Sequence, residues 1–192
     1  MVTKKITSIT TKTGDTGETG IASGGRLSKD ELIFEVIGTL DELNSWMGLV
    51  VAKISLKKQR RVMQGVQCQL FIISGVLAGS TKVKFNPANL KTIEKQIDGL
   101  HQQLADDWHT KFVYPGGTVL GGELDIARTV CRRAERRLVS YHRQVNFPAA
   151  ILKYLNRLSD YLYMLRCYVN DQVDHQEQYF DSKKQISIGR RR

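Results

Sequence analysis

Residues 148–172 read PAAILKYLNRLSDYLYMLRCYVNDQ, and this stretch decides the fold. Pro148 stands where a helix opens. Leu152, Leu155, Leu158, Leu162 and Leu165 then recur every three or four residues, which lays one apolar stripe along a helix running to about Gln172. Beside that stripe Asn156 and Asp160 stand i, i+4 on a common face. Polar groups so close to a core must be hydrogen-bonded. They suit two roles: orienting a nucleotide or its magnesium, or pairing with arginines of a neighbouring helix.

Working outward, residues 128–137 read Arg-Thr-Val-Cys-Arg-Arg-Ala-Glu-Arg-Arg, five arginines in ten residues on a segment that is helical from about Val119 to His142. Arg128, Arg132, Glu135 and Arg136 fall i, i+4, i+7 and i+8 and share one face. Guanidinium groups gathered on one face repel one another unless something anionic sits there. A triphosphate is a natural candidate, because the planar fork of arginine matches phosphate oxygens. A solvated basic face is the alternative.

Three further helical patterns precede these. Phe34, Ile37, Leu40, Leu43, Met47 and Val50 mark one from about Glu31 to Ser55, and Val62, Val66, Leu70, Ile73 and Leu77 mark another from about Lys58 to Ser80. Asn86-Pro87 opens a third, with Asn as cap and Leu90, Ile93, Ile97, Leu100 and Leu104 as its apolar positions. Residues 106–118 interrupt the helical pattern and end in Phe-Val-Tyr-Pro-Gly-Gly-Thr. Five long helices with short connections and no convincing strand predict an all-α, five-helix antiparallel bundle. The 192 residues are most simply one domain: an N-terminal loop over 1–30, the bundle over 31–172, and a polar tail over 173–192, loosely ordered at its end.

The N-terminal loop is rich in glycine. Thr11-Lys12-Thr13-Gly14-Asp15-Thr16-Gly17-Glu18-Thr19-Gly20 offers backbone N–H groups that approach an anion closely, with Lys12 and threonine hydroxyls to add charge and donors. It is neither GxxxxGK[ST] nor GxGxxG, and no strand leads from it into a helix, so neither a P-loop nor a Rossmann fingerprint is present. Read alone, it suits a flexible terminal loop better than an anion site. Gly38-Thr39-Leu40-Asp41-Glu42-Leu43-Asn44-Ser45 places Asp41 where it can answer an arginine, within the chain or across a subunit interface.

Composition narrows the class. Hydrophobic residues at 41% and charged residues at 25% are the balance of a soluble globular protein. The net charge of +10 favours an anionic partner, although Lys4, Lys5, Arg190, Arg191 and Arg192 place part of it at solvated termini. Cys68, Cys131 and Cys167 form no CxxC pair and lie among apolar residues, which predicts buried free thiols and a reducing, cytoplasmic setting. No signal peptide is apparent, and no apolar run reaches the roughly 18 residues that cross a bilayer. No Ser-His-Asp or HExxH pattern appears, so side-chain nucleophiles and protein-held zinc are unsupported.

Taken together, these segments resemble the PduO-type ATP:corrinoid adenosyltransferases. The resemblance rests on Thr11–Gly17 (TKTGDTG), Gly38–Ser45 (GTLDELNS), Pro115–Gly117 (PGG), Arg128–Arg136 (RTVCRRAER) and Tyr154–Asp160 (YLNRLSD), in that order, and spans about residues 8–172. It implies a homotrimer with ATP bound between neighbouring subunits. It implies transfer of the 5′-deoxyadenosyl group of ATP to the Co(I) centre of a reduced corrinoid such as cobalamin, with release of triphosphate. The substrate's own Co(I) is then the nucleophile, and the protein supplies position and electrostatics. Mg²⁺ is expected with ATP, with no metal held by the protein itself. A reductase and a cobalamin-dependent acceptor enzyme are further partners it leaves room for; nucleic acid and membrane are not expected.

By position, the resemblance puts Thr11, Lys12, Thr13 and Gly14 around the nucleotide, with Thr19, Gly20 and Lys29 completing the loop. Arg132, Arg133, Glu135, Arg136 and Asn156 would meet the nucleotide from the bundle, Arg132 as the catalytic contact. Asp41 and Arg128 would form an intersubunit salt bridge. Phe112 would fill the space under the corrin ring, displacing the lower cobalt ligand and easing reduction of Co(II) to Co(I). The chain departs from the family pattern at Thr16, Val76 and Asp125, where Lys, an acidic residue and His are frequent, and at Leu165-Arg166-Cys167-Tyr168, which shifts one arginine by a position. These changes bear on corrinoid preference and subunit packing. Two other readings remain: a basic helical nucleic-acid-binding module, and a catalytically weak, nucleotide-responsive corrinoid chaperone.

Overall fold

The stripe of leucines forms a helix and becomes the centre of the molecule. In the computed structural model, which describes residues 9–104 and 112–180, five helices follow one another: α1 (Leu32–Lys53), α2 (Lys57–Leu77), α3 (Ala88–His101), α4 (Val119–His142) and α5 (Ala150–Asp171). Leu155, Leu158, Leu162 and Leu165 are fully buried, and Tyr154 and Tyr161 join them. α5 is buried nearly all round because α4 lies along one flank and α3 along the other. α4 packs in turn on α1, and α1 on α2. Local chemistry starts the helices where the sequence predicts. Asn86 Oδ1 accepts the Ala88 amide at 3.0 Å before α3, and Thr118 Oγ1 accepts the Gly121 amide at 2.9 Å before α4.

Successive helices alternate in direction, as an antiparallel bundle requires. The spatial neighbours α3 and α5 nevertheless run parallel: the Phe85 ring meets Tyr154 at 5.5 Å, and Glu94 meets Arg157 at 3.3 Å further along both helices. Among the described residues no helix is long and apolar enough to cross a membrane. Lys4, Lys5, Arg190, Arg191 and Arg192 lie outside the described residues.

Three features differ from the sequence expectation. The glycine-rich segment is not loop throughout: β1 (Glu18–Gly20) and β2 (Arg26–Ser28) form an antiparallel hairpin with Thr19 opposite Leu27. Strands of three residues carry too few side chains to show an alternating pattern. This pair is instead held by Arg26, whose guanidinium donates to the carbonyls of Thr13 and Glu18. The hairpin tip is fastened to the end of α2 by the Ser23 amide on the Ala78 carbonyl, at 2.9 Å. Second, the segment after α5 turns back: the Tyr114 amide donates to the Gln178 carbonyl at 2.8 Å and the Phe180 amide to the Phe112 carbonyl at 2.7 Å, bracketing a bridge between Val113 and Tyr179. Third, Cys131 and Cys167 are buried but Cys68 is exposed, because it falls on the outer face of α2.

Candidate active site

The arginine row of α4 divides between its two neighbours. Arg133 and Arg137 face α1, where Arg133 pairs with Glu42 and Arg137 approaches Glu35 at 3.8 Å. Arg128 and Arg132 face the other way and line a cavity of about 440 Å³ between α3, α4 and α5, together with Ile97, His101, Asp160 and Tyr163. Two cations, a carboxylate and apolar walls thus surround one space. Arg136 is exposed. The groove of about 290 Å³ between α2 and α3 is lined by Val62, Val66, Ile93 and Tyr154 with Arg61 as its one charged group, and gathers no comparable chemistry.

A chain of polar contacts orients the cavity's rim. Glu135 sits 3.9 Å from the Arg132 guanidinium through one oxygen and accepts from Asn156 Nδ2 at 3.0 Å through the other. Asn156 Oδ1 accepts from Arg157 at 2.7 Å, and Arg157 reaches Asp160 at 3.6 Å and Glu94 at 3.3 Å. Asn156 and Asp160 therefore pair with arginine of their own helix, and Asn156 also with the acidic residue of α4. Burial raises the Asp160 carboxyl above its ordinary range, with Arg157 and Arg132 pulling the other way. Arg128 lies 6.0 Å from the centre of the Tyr163 ring, and burial pushes the Tyr163 phenol up to about 12. The Arg128 guanidinium is 3.5 Å from Asp125, yet its Nε is buried without a hydrogen bond.

The glycine-rich loop is a separate, exposed unit. Lys12 adopts a φ of 57°, in the left-handed region that side chains other than glycine rarely enter. The Thr11 and Thr13 hydroxyls are 3.0 Å apart, and Lys29 Nζ donates to the Gly14 carbonyl at 2.7 Å, closing the loop on itself. Among the described residues no hydrogen bond or ion pair joins residues 11–29 to Arg132, Arg133, Glu135, Arg136 or Asn156. Asp41 is exposed on α1 and has no ion pair among the described residues.

Phe112 stands beside the Pro115-Gly116-Gly117 turn with 82% of its surface exposed. Behind it lies a buried polar group: the sequence marks its Asp125 and Arg166 as departures but does not show that they meet, nor that Asn170 and Glu177 join them. Arg166, 1% exposed, meets Asp125 at 3.2 Å and Glu177 at 2.5 Å, and Asn170 is fully buried alongside. Burial lowers the Arg166 pKa, but the hydrogen bond and charge of Glu177 and the charge of Asp125 more than reverse it, so the net shift is upward. The available signal was a charged residue beside Leu165 on the helix with the leucine stripe.

Residues 9–169 match the cobalamin adenosyltransferase family. The chain belongs to that family. It is 39% identical over 167 residues to the corrinoid adenosyltransferase of Bacillus subtilis (strain 168), covering 83% of this chain and 85% of that protein. It is 34% identical over 189 residues to the corrinoid adenosyltransferase MMAB of Homo sapiens, covering 93% of this chain and 75% of that one. Its fold superposes with a TM-score of 0.84 on a variant PduO-type ATP:corrinoid adenosyltransferase from Lactobacillus reuteri complexed with cobalamin and ATP, at 31% identity over 91% of this chain and 97% of that one.

Within this cobalamin adenosyltransferase fold, the structure brings Arg128, Arg132, Glu135 and Asn156 to one flank of α4 and α5. It leaves Thr11, Lys12, Thr13, Gly14, Thr19, Gly20 and Lys29 in their own unit, Asp41 and Arg133 on the α1 side, and Phe112 at the far end of the bundle beside the start of α4.

Proposed function

We propose that this chain transfers the 5′-deoxyadenosyl group of ATP to the Co(I) centre of a reduced corrinoid, cobalamin or a close analogue. The observation that carries this reading is membership of the cobalamin adenosyltransferase family over residues 9–169, a span holding both the glycine-rich loop and the arginine row. In the reaction the cobalt electron pair attacks C5′, a Co–C bond forms, the C5′–O bond breaks, and triphosphate leaves with that bond's electrons. The substrate supplies the nucleophile, so the protein needs position and charge rather than a reactive side chain.

Each site residue takes a role on this reading. Thr11, Lys12, Thr13, Gly14, Thr19, Gly20 and Lys29 cradle the nucleotide, and Arg132, Glu135, Arg136 and Asn156 meet it from α4 and α5; Arg133, on the α1 side, would have to leave Glu42 to join them. Arg132 offers its fork to charge growing on the leaving triphosphate. Phe112 lies under the corrin ring. The separation of loop and arginine row within one chain supports a site shared between two subunits of a homotrimer, with Asp41 of one subunit answering Arg128 of the next. Mg²⁺ suits the site as a companion of ATP, held by the phosphates and water rather than by carboxylates of the chain, since Glu135 and Asp160 already answer Arg132, Asn156 and Arg157. Bound there, it neutralises triphosphate charge. A reducing cytoplasm, a reductase and an acceptor enzyme complete the setting that Co(I) chemistry requires.

The nucleic-acid reading loses support because Arg133, Arg137 and Arg157 are already answered by carboxylates of the chain. Incubation with ATP and chemically reduced cobalamin tests the proposal. Adenosylcobalamin and triphosphate should appear in equal amounts. Binding of both substrates without either product would favour the chaperone reading instead.

A further inference from the structure

Nothing in its own packing fixes the Phe112 ring, since most of its surface is open. Its place is set by the backbone on which it stands, and that backbone is tied down by one buried group of side chains. The Arg166 guanidinium donates to Asp125 on α4 at 3.2 Å, to Glu177 after α5 at 2.5 Å, and to the carbonyls of Tyr114 and Gly116 at 2.9 and 3.2 Å. Asn170, one turn further along α5, donates to the Gly116 carbonyl at 3.1 Å and to Glu177 at 2.9 Å. It also accepts from the amide and hydroxyl of Thr118, at 3.1 and 2.8 Å. Asp125 closes the group by accepting the Gly116 amide at 2.9 Å.

One cation thus joins two stretches that are remote in sequence: the Phe112 segment with the start of α4, and the end of α5 with the Phe180 segment. An ionic group this dry is a poor source of cohesion, because well-packed apolar side chains would serve a core as well or better. What it supplies is a backbone fixed at Tyr114, Gly116 and Thr118, each held by a side chain of this group.

We propose that Arg166, Asp125, Asn170 and Glu177 are positioning residues that hold Phe112 against the corrinoid. This rests on the reading that Phe112 lies under the corrin ring. Glu177 is the place to test it, because it lies outside the helices and its loss leaves Arg166 with Asp125. Glu177→Ala, Phe112→Ala and the double variant are compared by the spectroscopic signature of four-coordinate Co(II) in the presence of ATP, by turnover, and by ATP affinity.

Glu177→Ala should weaken the signature and lower turnover about 10- to 100-fold, the scale of a small misplacement at a reacting centre, with ATP affinity unchanged. Glu177→Gln, which keeps an acceptor oxygen, should recover most of the loss. The double variant should be no worse than Phe112→Ala alone, since both changes then remove one effect. An unchanged signature in Glu177→Ala, or a double variant whose loss is the product of the two single losses, overturns the proposal. If Glu177→Ala does not fold, the same cycle is run with Glu177→Asp, which keeps the charge but falls short of Arg166 and Asn170, and independent losses there overturn it equally. An unchanged signature in Phe112→Ala alone would remove Phe112 from the corrinoid, and would thereby locate the error in the functional reading rather than in the positioning group.

Discussion

Arg132 differs from the arginines around it by what it faces. Its side chain is half exposed on the cavity wall, and its carboxylate neighbour Glu135 is 3.9 Å away and shared with Asn156. Lysine in its place keeps the charge but loses the two-pronged donor. Arg132→Lys should therefore lower adenosylation about 10²- to 10³-fold, the usual cost of one preorganised donor to developing charge. Its melting temperature should hold, because exposed pairs of this kind contribute at most about 1 kcal/mol. Arg137→Lys, whose neighbour is Glu35 on the opposite flank, should keep near-normal turnover. Equal and small losses in both variants would return the row to a solvated basic face. Asp160 allows a test by pH. Its folded pKa is raised, first by burial, so the folded state holds this proton more tightly than the unfolded chain does. Stability then falls as pH rises through the folded value, and the cost is fully present above it. Asp160→Asn should melt slightly higher than the parent near pH 7, and the difference should vanish below the ordinary aspartate value of 3.8. Melting curves from acid to neutral pH check this; a parallel pair of profiles would mean that Asp160 is unperturbed.

At the level of elements, helices were legible because each carries enough turns to repeat its apolar pattern, and α4 begins and ends at the residues the pattern indicates. The hairpin and the pairing of residues 112–114 with 178–180 were not legible. Each strand there is too short for a period of two to register, and the partners of the second pair are far apart in sequence. The site divides in the same way. The shared face of Arg128, Arg132 and Glu135 follows from helical geometry, and so does the nearness of Asn156 once α5 lies on α4. The group at Arg166 depends on a carboxylate in the tail and on carbonyls of a turn, which no local pattern encodes. The junction of α4 with that turn yields a prediction. A Cβ on Gly121 would meet Asn170 Oδ1 at 2.4 Å and the Gly116 carbonyl at 2.9 Å, whereas one on Gly122 would meet only the Gly116 Cα, at 4.0 Å. Gly121→Ala should cost about 1–3 kcal/mol by overpacking, read as a lower denaturation midpoint with an unchanged slope. Gly122→Ala should be neutral or gain up to about 1 kcal/mol from helix propensity. Similar midpoints for both would mean that the start of α4 is less tightly seated on Asn170 than these distances require.

At the scale of the whole molecule, one chain leaves its site unfinished. The glycine-rich loop is closed on itself and fastened to the end of α2, while the arginine row opens onto a cavity between α3, α4 and α5. On the proposed reading, a nucleotide that needs both bridges two chains. Asp41 is a carboxylate exposed on α1 without an ion pair among the described residues, and Arg128 retains a buried Nε without a hydrogen bond even beside Asp125. Such a pair, one group on each of two different faces, suits a head-to-tail interface that closes into a ring. A homotrimer is the ring expected for this chain. Asp41→Arg would then set two cations against each other at every interface, and an uncompensated charge buried there costs about 3–5 kcal/mol. Light scattering should show the variant dissociating toward monomer as it is diluted, at concentrations where the parent keeps three times the mass of the chain. Turnover should fall along with assembly, because each site would lose the half supplied by its neighbour. A parent that is monomeric and fully active would remove the shared site altogether. An Asp41→Arg variant that keeps both mass and turnover would leave the trimer standing but break the proposed bridge, and Arg128 would then belong to the cavity wall rather than to the interface.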